Sequence, residues 1–391
     1  MRIKVRKETF EEALVRASCA LGDKKSAQIT QCFGLESSAD GFSVVASRAD
    51  ASAKVTIPKS DDLEVSDFGQ VVVDGATLVK GISSLHDGVM ISVEEEVNDD
   101  GDGNQITCAY KTRNEKKWDH SFATLEGESF PDVDFSWTSK QSVEYPADKL
   151  IKFVSKVSFA ASDEDSQANY AVVYSKFDDS GLFMCATDGR QLASIRDSSC
   201  SFSEGREIIL NAKIISSIAR KNILDENFDV KISVQENKGG SKIKFEQDGL
   251  SIVSGLPSDV KKIPYNVITD MDGKICEFKV NSGELKQDLK SLFSTEFKET
   301  IWSFGEDGIK VKNVGSSAKR GGGQIDGVTN FDGEPCELVF SLRYWEYLLS
   351  RASGNDDLNV RVRNKRAPID IQVTPEPEKY NYYIMPITAA D

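Results

Sequence analysis

Six stretches of the chain repeat apolar residues at spacings of three and four, and the segments between them alternate apolar with polar positions. The first pattern predicts amphipathic helices over Thr9 to Leu21, Asp74 to Leu85, Ala147 to Phe159, Asn211 to Lys221, Ser282 to Phe293 and Ser341 to Arg351. Leu150, Val154 and Val157 share a face of the third, and Ile214, Ile215 and Ile218 a face of the fourth. Asp74, Asn211, Ser282 and Ser341 are predicted N-caps, because their side-chain oxygens can accept a free N–H of the first turn. The second pattern predicts strands at Phe42 to Val45, Ala53 to Ile57, Val89 to Val93, Gln105 to Lys111, Val230 to Val234, Ser241 to Phe245, Leu358 to Val362 and Ile369 to Val373.

The helix starts recur every roughly 59 to 73 residues, so the chain reads as one unit used six times. Helix, strands, helix, strands makes a domain, and the pattern runs three times. A lone half cannot cover its sheet, so the halves should pair. The pattern lapses at Phe130 to Trp137, which contains Pro131, and at Leu256 to Pro264, which contains two prolines and Lys261-Lys262. The expected domains are therefore 1–137, 138–264 and 265–391. The fold class is α+β, with three similar domains that each set two helices on antiparallel sheets. Inside the domains, Asn98 to Asn104 reads as an acidic hairpin tip and Gly315 to Gly327, with three successive glycines, as a loop.

Composition narrows the chemistry. No run reaches the roughly 18 to 20 apolar residues of a membrane helix, and the start, Met-Arg-Ile-Lys-Val-Arg-Lys, is charged rather than an apolar signal; a cytosolic protein with no membrane partner is expected. Seven cysteines are scattered, no two closer than Cys19 and Cys32, so neither a disulfide framework nor a zinc site is predicted. The run Asn98-Asp-Asp-Gly-Asp-Gly103 imitates half a calcium loop but has Ala109 where the bidentate glutamate belongs. Asp163-Glu164-Asp165 reads as a solvated acidic loop, and the glycines at 321 to 323 lack the frame of a phosphate loop. With two histidines and no nucleophile beside a base, no catalytic set and no cofactor is indicated.

The net charge of −15 argues against a nucleic-acid protein until its distribution is considered. The six helical segments together are net basic, and the rest of the chain is acidic. Lys149, Lys152 and Lys156 share one face of the third helix, and Lys213, Arg220 and Lys221 repeat the theme on the fourth. Such a face is suited to phosphates, which lysine and arginine bind without reading sequence.

Near the middle, Cys185-Ala-Thr-Asp-Gly-Arg-Gln-Leu-Ala-Ser-Ile195 is a hairpin signal centred on Asp188-Gly189, and the chain closes through Tyr383-Ile-Met-Pro-Ile387. With Phe130-Pro131-Asp132 and Gly255-Leu-Pro-Ser258, these motifs resemble, in order and spacing, those of the bacterial DNA polymerase beta sliding clamp family. The resemblance implies a non-catalytic homodimeric ring that encircles double-stranded DNA, is opened by an ATP-driven clamp loader, and tethers a DNA polymerase and other proteins through short linear motifs. It implies a partner pocket at Tyr170, Ala171, Thr187, Gly189, Arg190, Leu192, Pro257, Tyr383, Met385 and Pro386. The pattern departs from the family at Arg190-Gln191, where a His-Arg pair is usual, and at Ile387-Thr388-Ala389. DNA contacts are expected from Lys24, Lys25, Lys149, Lys152, Lys156, Lys213 and Arg220. Phe122, Leu292 and Phe293 are expected at the dimer interface, although Leu292 and Phe293 could instead complete a core. A β-rich structural protein that oligomerises through sheet edges is the competing reading.

Overall fold

All six expected helices form, each preceded by one strand and followed by at least three. A computed structural model of the chain describes every residue except 98–103, 112–115, 126–129, 140–141, 165–166, 203–204, 238–239, 258–259, 261, 294–298, 315–321, 376–377 and 388–391. The acidic tip, most of the glycine loop, Asp165, Ser258, Lys261 and the segment from Thr388 onward therefore lie outside the described residues.

The first repeat runs β1 (Arg2–Arg6), α1 (Lys7–Ala17), β2 (Cys32–Ser38), β3 (Gly41–Arg48) and β4 (Ala51–Pro58), with an added β5 (Leu63–Asp67). The second runs β6 (Gly69–Asp74), α2 (Gly75–Ser83), β7 (Met90–Val97), β8 (Asn104–Lys111) and β9 (Lys117–Ala123). The third comprises β10 (Ser142–Pro146), α3 (Ala147–Val157), β11 (Val172–Asp178), β12 (Gly181–Thr187) and β13 (Gln191–Asp197). The fourth comprises β14 (Arg206–Asn211), α4 (Ala212–Ile218), β15 (Asp229–Asn237), β16 (Gly240–Gln247) and β17 (Leu250–Gly255), and a short α5 (Tyr265–Thr269) follows. The fifth is β18 (Cys276–Asn281), α6 (Ser282–Phe293), β19 (Glu299–Gly305), β20 (Gly308–Asn313) and β21 (Gly322–Ile325), with an added β22 (Thr329–Gly333). The sixth is β23 (Cys336–Ser341), α7 (Leu342–Arg351), β24 (Asp357–Val362), β25 (Ile369–Thr374) and β26 (Lys379–Ile384).

Repeats pair by exchanging first strands. β6 lies beside β2, and β1 beside β7, so each half-sheet combines three strands of one repeat with the opening strand of its neighbour. The same exchange joins β14 to β11, β10 to β15, β18 to β24 and β23 to β19. This is the physical form of the halves needing each other. Neither can complete its ladder or cover its apolar face alone.

The chain gathers into two compact units, Met1–Ile151 with Ser216–Ser258, and Lys152–Ile215 with Asp259–Asp391. The first holds a five-stranded sheet, β5-β1-β7-β8-β9, and an eight-stranded sheet, β10-β15-β16-β17-β4-β3-β2-β6. The second holds a nine-stranded sheet, β14-β11-β12-β13-β26-β25-β24-β18-β22, and a four-stranded sheet, β21-β20-β19-β23. Hydrogen-bonded ladders thus cross both expected boundaries, because β17 pairs with β4 and β13 with β26. In the first unit Phe10 of α1 meets Phe42 of β3 edge-on at 5.5 Å. In the second, Trp302 and Trp345 stack at 4.2 Å with Phe340 and Phe304 around them.

The caps are partly as expected. Asp74 accepts the Thr77 N–H at 2.8 Å, and Asn211 accepts those of Lys213 and Ile214 at 2.9 and 3.3 Å. At α6 the cap is Asn281, which accepts from Gly283 and Glu284 at 2.9 and 3.1 Å, while the Ser282 hydroxyl turns inward to the Ser353 carbonyl. Ser341 makes no side-chain cap at all. Below the first expected boundary, Lys244 is 2% exposed and donates to the carbonyls of Trp137 and Phe135 at 2.6 and 3.3 Å. Its ammonium also lies 2.9 Å from Glu246 and 4.8 Å from the Trp137 ring centre, so one buried cation pins the segment entering the third repeat.

Candidate functional site

The site is built on the β12–β13 hairpin, whose turn is tied down by its own polar side chains. Thr187 is buried; its hydroxyl donates to the Gln191 carbonyl and accepts the Gly189 N–H at 3.0 Å. Asp188 Oδ1 accepts from Arg190 and Gln191 N–H at 2.8 and 2.9 Å, and Gln191 Nε2 donates to Asp188 Oδ2 at 3.1 Å. Gly189 has φ of +86°, and a Cβ there would stand 3.4 Å from the Tyr170 ring. Glycine is required by conformation, and Tyr170, still 40% exposed, packs against the space it leaves.

β26 and the residues after it as far as Ile387 are laid onto this hairpin. In the β13–β26 ladder Gln191 faces Ile384 and Leu192 faces Tyr383, and beyond it the Met385 N–H donates to the Arg190 carbonyl at 2.8 Å. The Ile387 N–H then donates to Val339 at 2.7 Å. Leu192 and Tyr383 belong to an apolar cluster with Val172, Tyr174, Phe183, Cys185 and Ile263. Met385 is half-buried, Pro386 buried, Ala171 half-buried and Arg190 exposed. Nine of the ten expected pocket residues thus fall in the second unit. Pro257, half-buried, belongs to the first.

Several residues that motif reasoning passed over set this geometry. Tyr382 is fully buried, hydrogen-bonds Gln191 Oε1 and stands 3.1 Å from the Tyr344 carbonyl; burial holds its hydroxyl far above its ordinary pKa. Arg343 reaches Asp188 at 3.9 Å, and a cavity of about 230 Å³ opens beside the hairpin between Phe159, Asp163, Asp188, Arg190, Arg343 and Tyr344. Arg363, 4% exposed, donates to the Ile268 carbonyl at 2.6 Å and to Asp370 at 3.0 Å, which fastens α5 over the sheet and beside Tyr383. Burial raises the Asp370 pKa, with Arg363 opposing it. Alternation in the sequence marks these side chains as core-facing or not. It carries no signal that Gln191 and Tyr382 would meet.

The expected DNA-facing residues divide. Lys24 and Lys25 are exposed on the loop after α1, and Lys213 and Arg220 are exposed on and after α4. Lys149 is half-buried. Lys152 is bound to Glu378 at 2.6 Å, and Lys156 is 9% exposed with its ammonium 4.8 Å from the Tyr380 ring centre. The face that α3 leaves open carries Asp148 and Ser155 instead. The triple lysine face expected from spacing gives way here, because Lys152 and Lys156 are held by Glu378 and Tyr380 within the chain. At the expected interface, Phe122 is 7% exposed and presses its ring against Gly81 of α2, while Leu292 is 5% exposed and Phe293 half-buried. The burial of Phe122 and Leu292 needs no second subunit. Among the described residues no group of three or more His, Cys, Asp or Glu could hold a metal, and no helix is long and apolar enough to cross a membrane.

No protein-family model matches the chain. The beta sliding clamp of Bacillus subtilis (strain 168) is 22% identical over 403 aligned residues, which cover 99% of each protein. Among solved structures, the DNA polymerase III beta subunit of Thermotoga maritima aligns with a TM-score of 0.84 at 19% identity, and the DNA polymerase sliding clamp of Bacillus subtilis with 0.81 at 20%; both alignments cover 100% of each chain. The chain has the fold of the bacterial DNA polymerase sliding clamps and resembles one of them in sequence over nearly its whole length.

Proposed function

We propose that this chain is a sliding clamp: two copies join head to tail as a ring around double-stranded DNA and tether a DNA polymerase to it. The ring is built of three domains per copy, and the chain itself catalyses no reaction. The strand pairing carries this reading. The last strand of a repeat joins the last strand of another repeat at β4–β17 and at β13–β26, and among the described residues two last strands have no such partner. They are β9 and β21, and each is an edge of its sheet. When β9 of one copy meets β21 of the other, every repeat is joined the same way and the chain closes with two-fold symmetry. Trp118, 51% exposed on β9, is the apolar side chain that this joint covers.

The hairpin and chain end form the pocket for short motifs of the polymerase, the clamp loader and other DNA-processing partners. Leu192, Tyr383, Met385 and Pro386 offer the apolar slot in which an anchor side chain concentrates binding energy. Lys24, Lys25, Lys213 and Arg220 are the phosphate contacts, and the setting is the cytoplasm. The experiment is topological. Loaded on nicked circular duplex by an ATP-driven clamp loader, the protein should stay bound until the circle is cut. Loss from intact circles, or retention on linear DNA with free ends, overturns the reading.

A further inference from the structure

The cysteines are where the structure adds chemistry that neither the sequence nor the clamp reading calls for. Cys19, Cys32, Cys108 and Cys185 are buried, and Cys200 is half-buried with its sulfur 3.6 Å from the Asp197 carbonyl. Cys276 and Cys336 differ from these. Cys276 opens β18, is fully buried, and pairs across the sheet with Gly333 and Val362. Cys336 opens β23, is half-buried, and its sulfur lies 3.7 Å from that of Cys276. The turn between β22 and β23 fixes this approach. Gly333 has φ of +120°, its α-carbon so close to Ile275 that a Cβ would overlap the Ile275 carbonyl, and the Glu334 N–H donates to that same carbonyl at 2.9 Å.

We propose that Cys276 and Cys336 form a reversible disulfide under peroxide, a modification site that staples the nine-stranded sheet of the second unit to its four-stranded sheet. A disulfide needs its sulfurs at about 2.05 Å, so they must close by a little under 2 Å, within reach of side-chain rotation. The two thiols are chemically unequal. Either sulfur can donate in the hydrogen bond between them; with the nearby Lys365 charge that bond lowers the Cys336 pKa, and with burial it raises that of Cys276. Cys336 is therefore the attacking thiolate, and it is also the more exposed. It takes one oxygen from hydrogen peroxide to become a sulfenic acid, with hydroxide released. The Cys276 sulfur then attacks that sulfur, the S–S bond forms, the S–O bond breaks, and the thiol proton leaves with the hydroxide as water. Two thiols lose two electrons and one peroxide becomes two waters. Dithiothreitol reverses the step.

The test uses the whole chain and does not depend on clamp activity. Treated with a small excess of hydrogen peroxide, the protein should lose two of its seven titratable thiols. Its intact mass should fall by the two hydrogens, and digestion should yield one cross-linked peptide joining 276 to 336. Its melting temperature should rise and return with dithiothreitol. Cys276→Ser should accumulate a dimedone-reactive sulfenic acid at Cys336, and Cys336→Ser should keep its remaining thiols reduced under the same dose. Should either variant fail to fold, the peptide map of the unsubstituted protein decides alone. Seven thiols surviving the treatment, a first oxidation at Cys200, or a bridge between two chains overturns the assignment.

Discussion

Lys156 and Lys213 are both lysines on helices that spacing marked as DNA-facing, and their surroundings separate them. Lys156 is buried over the Tyr380 ring, so Lys156→Ala removes packing and a cation–π interaction of roughly 0.5 to 2 kcal/mol. It should lower the melting temperature and leave the salt dependence of DNA retention unchanged. Changing Lys24, Lys25, Lys213 and Arg220 together to alanine should do the reverse, flattening the salt slope by about 0.9 for each phosphate that is no longer neutralised. A steep slope in the quadruple variant would remove these residues from the DNA path. Asp178 gives a pH signature. Hydrogen bonds from Lys176, at 2.7 Å, and from Ser180 hold its pKa at about 2. That is below the roughly 3.9 of an unfolded aspartate, so the stabilisation is fully present above about pH 4 and is lost as pH falls through 2. Asp178→Asn should therefore be less stable than the parent at neutral pH, with the difference vanishing in acid melts.

At the scale of the element, caps and turns decide most. Asn281→Ala removes the side chain that accepts two N–H groups at the start of α6 and should cost about 1 kcal/mol. Ser282, the residue spacing favoured for that cap, holds the Ser353 carbonyl instead, so its loss should be felt at the α7 end. Which of two adjacent polar residues caps a helix is set by where the preceding strand stops, and that depends on β24 beside it. Gly189→Ala forces an L side chain to φ of +86° against Tyr170. It should cost about 1 kcal/mol and weaken partner-peptide binding, read by thermal melts and calorimetry. Unchanged affinity would mean that the hairpin turn is not part of the pocket.

For the whole molecule, the decisive features are the edge strands β9 and β21. Trp118→Glu places a charge on β9 where a partner strand would lie. Light scattering should show a folded monomer that melts as the parent does, binds peptide, and is not retained on circular DNA. A stable dimer of that variant would sink the β9–β21 joint. Phe122→Ala is the contrasting change, since it empties a packed space inside the first unit and should lower the melting temperature by removing core packing, on the order of 3 kcal/mol or more.

The sequence by itself determined the six helices and most strands, because amphipathic period and turn residues are local, and each element must present one apolar face whatever it meets. It also determined the Asp188-Gly189 turn, whose positive φ only glycine meets without strain. What it could not carry is which charge is spoken for. Lys152 finds Glu378, and Lys156 finds Tyr380, across more than two hundred residues of chain; no spacing encodes that. The same holds for sheet continuity. Prolines at the expected boundaries were legible as breaks in pattern, yet β4 and β13 complete their ladders with β17 and β26. Backbone hydrogen bonds carry no sequence label, so only the tertiary structure decided which strands joined and that β9 and β21 stand at the edges of their sheets.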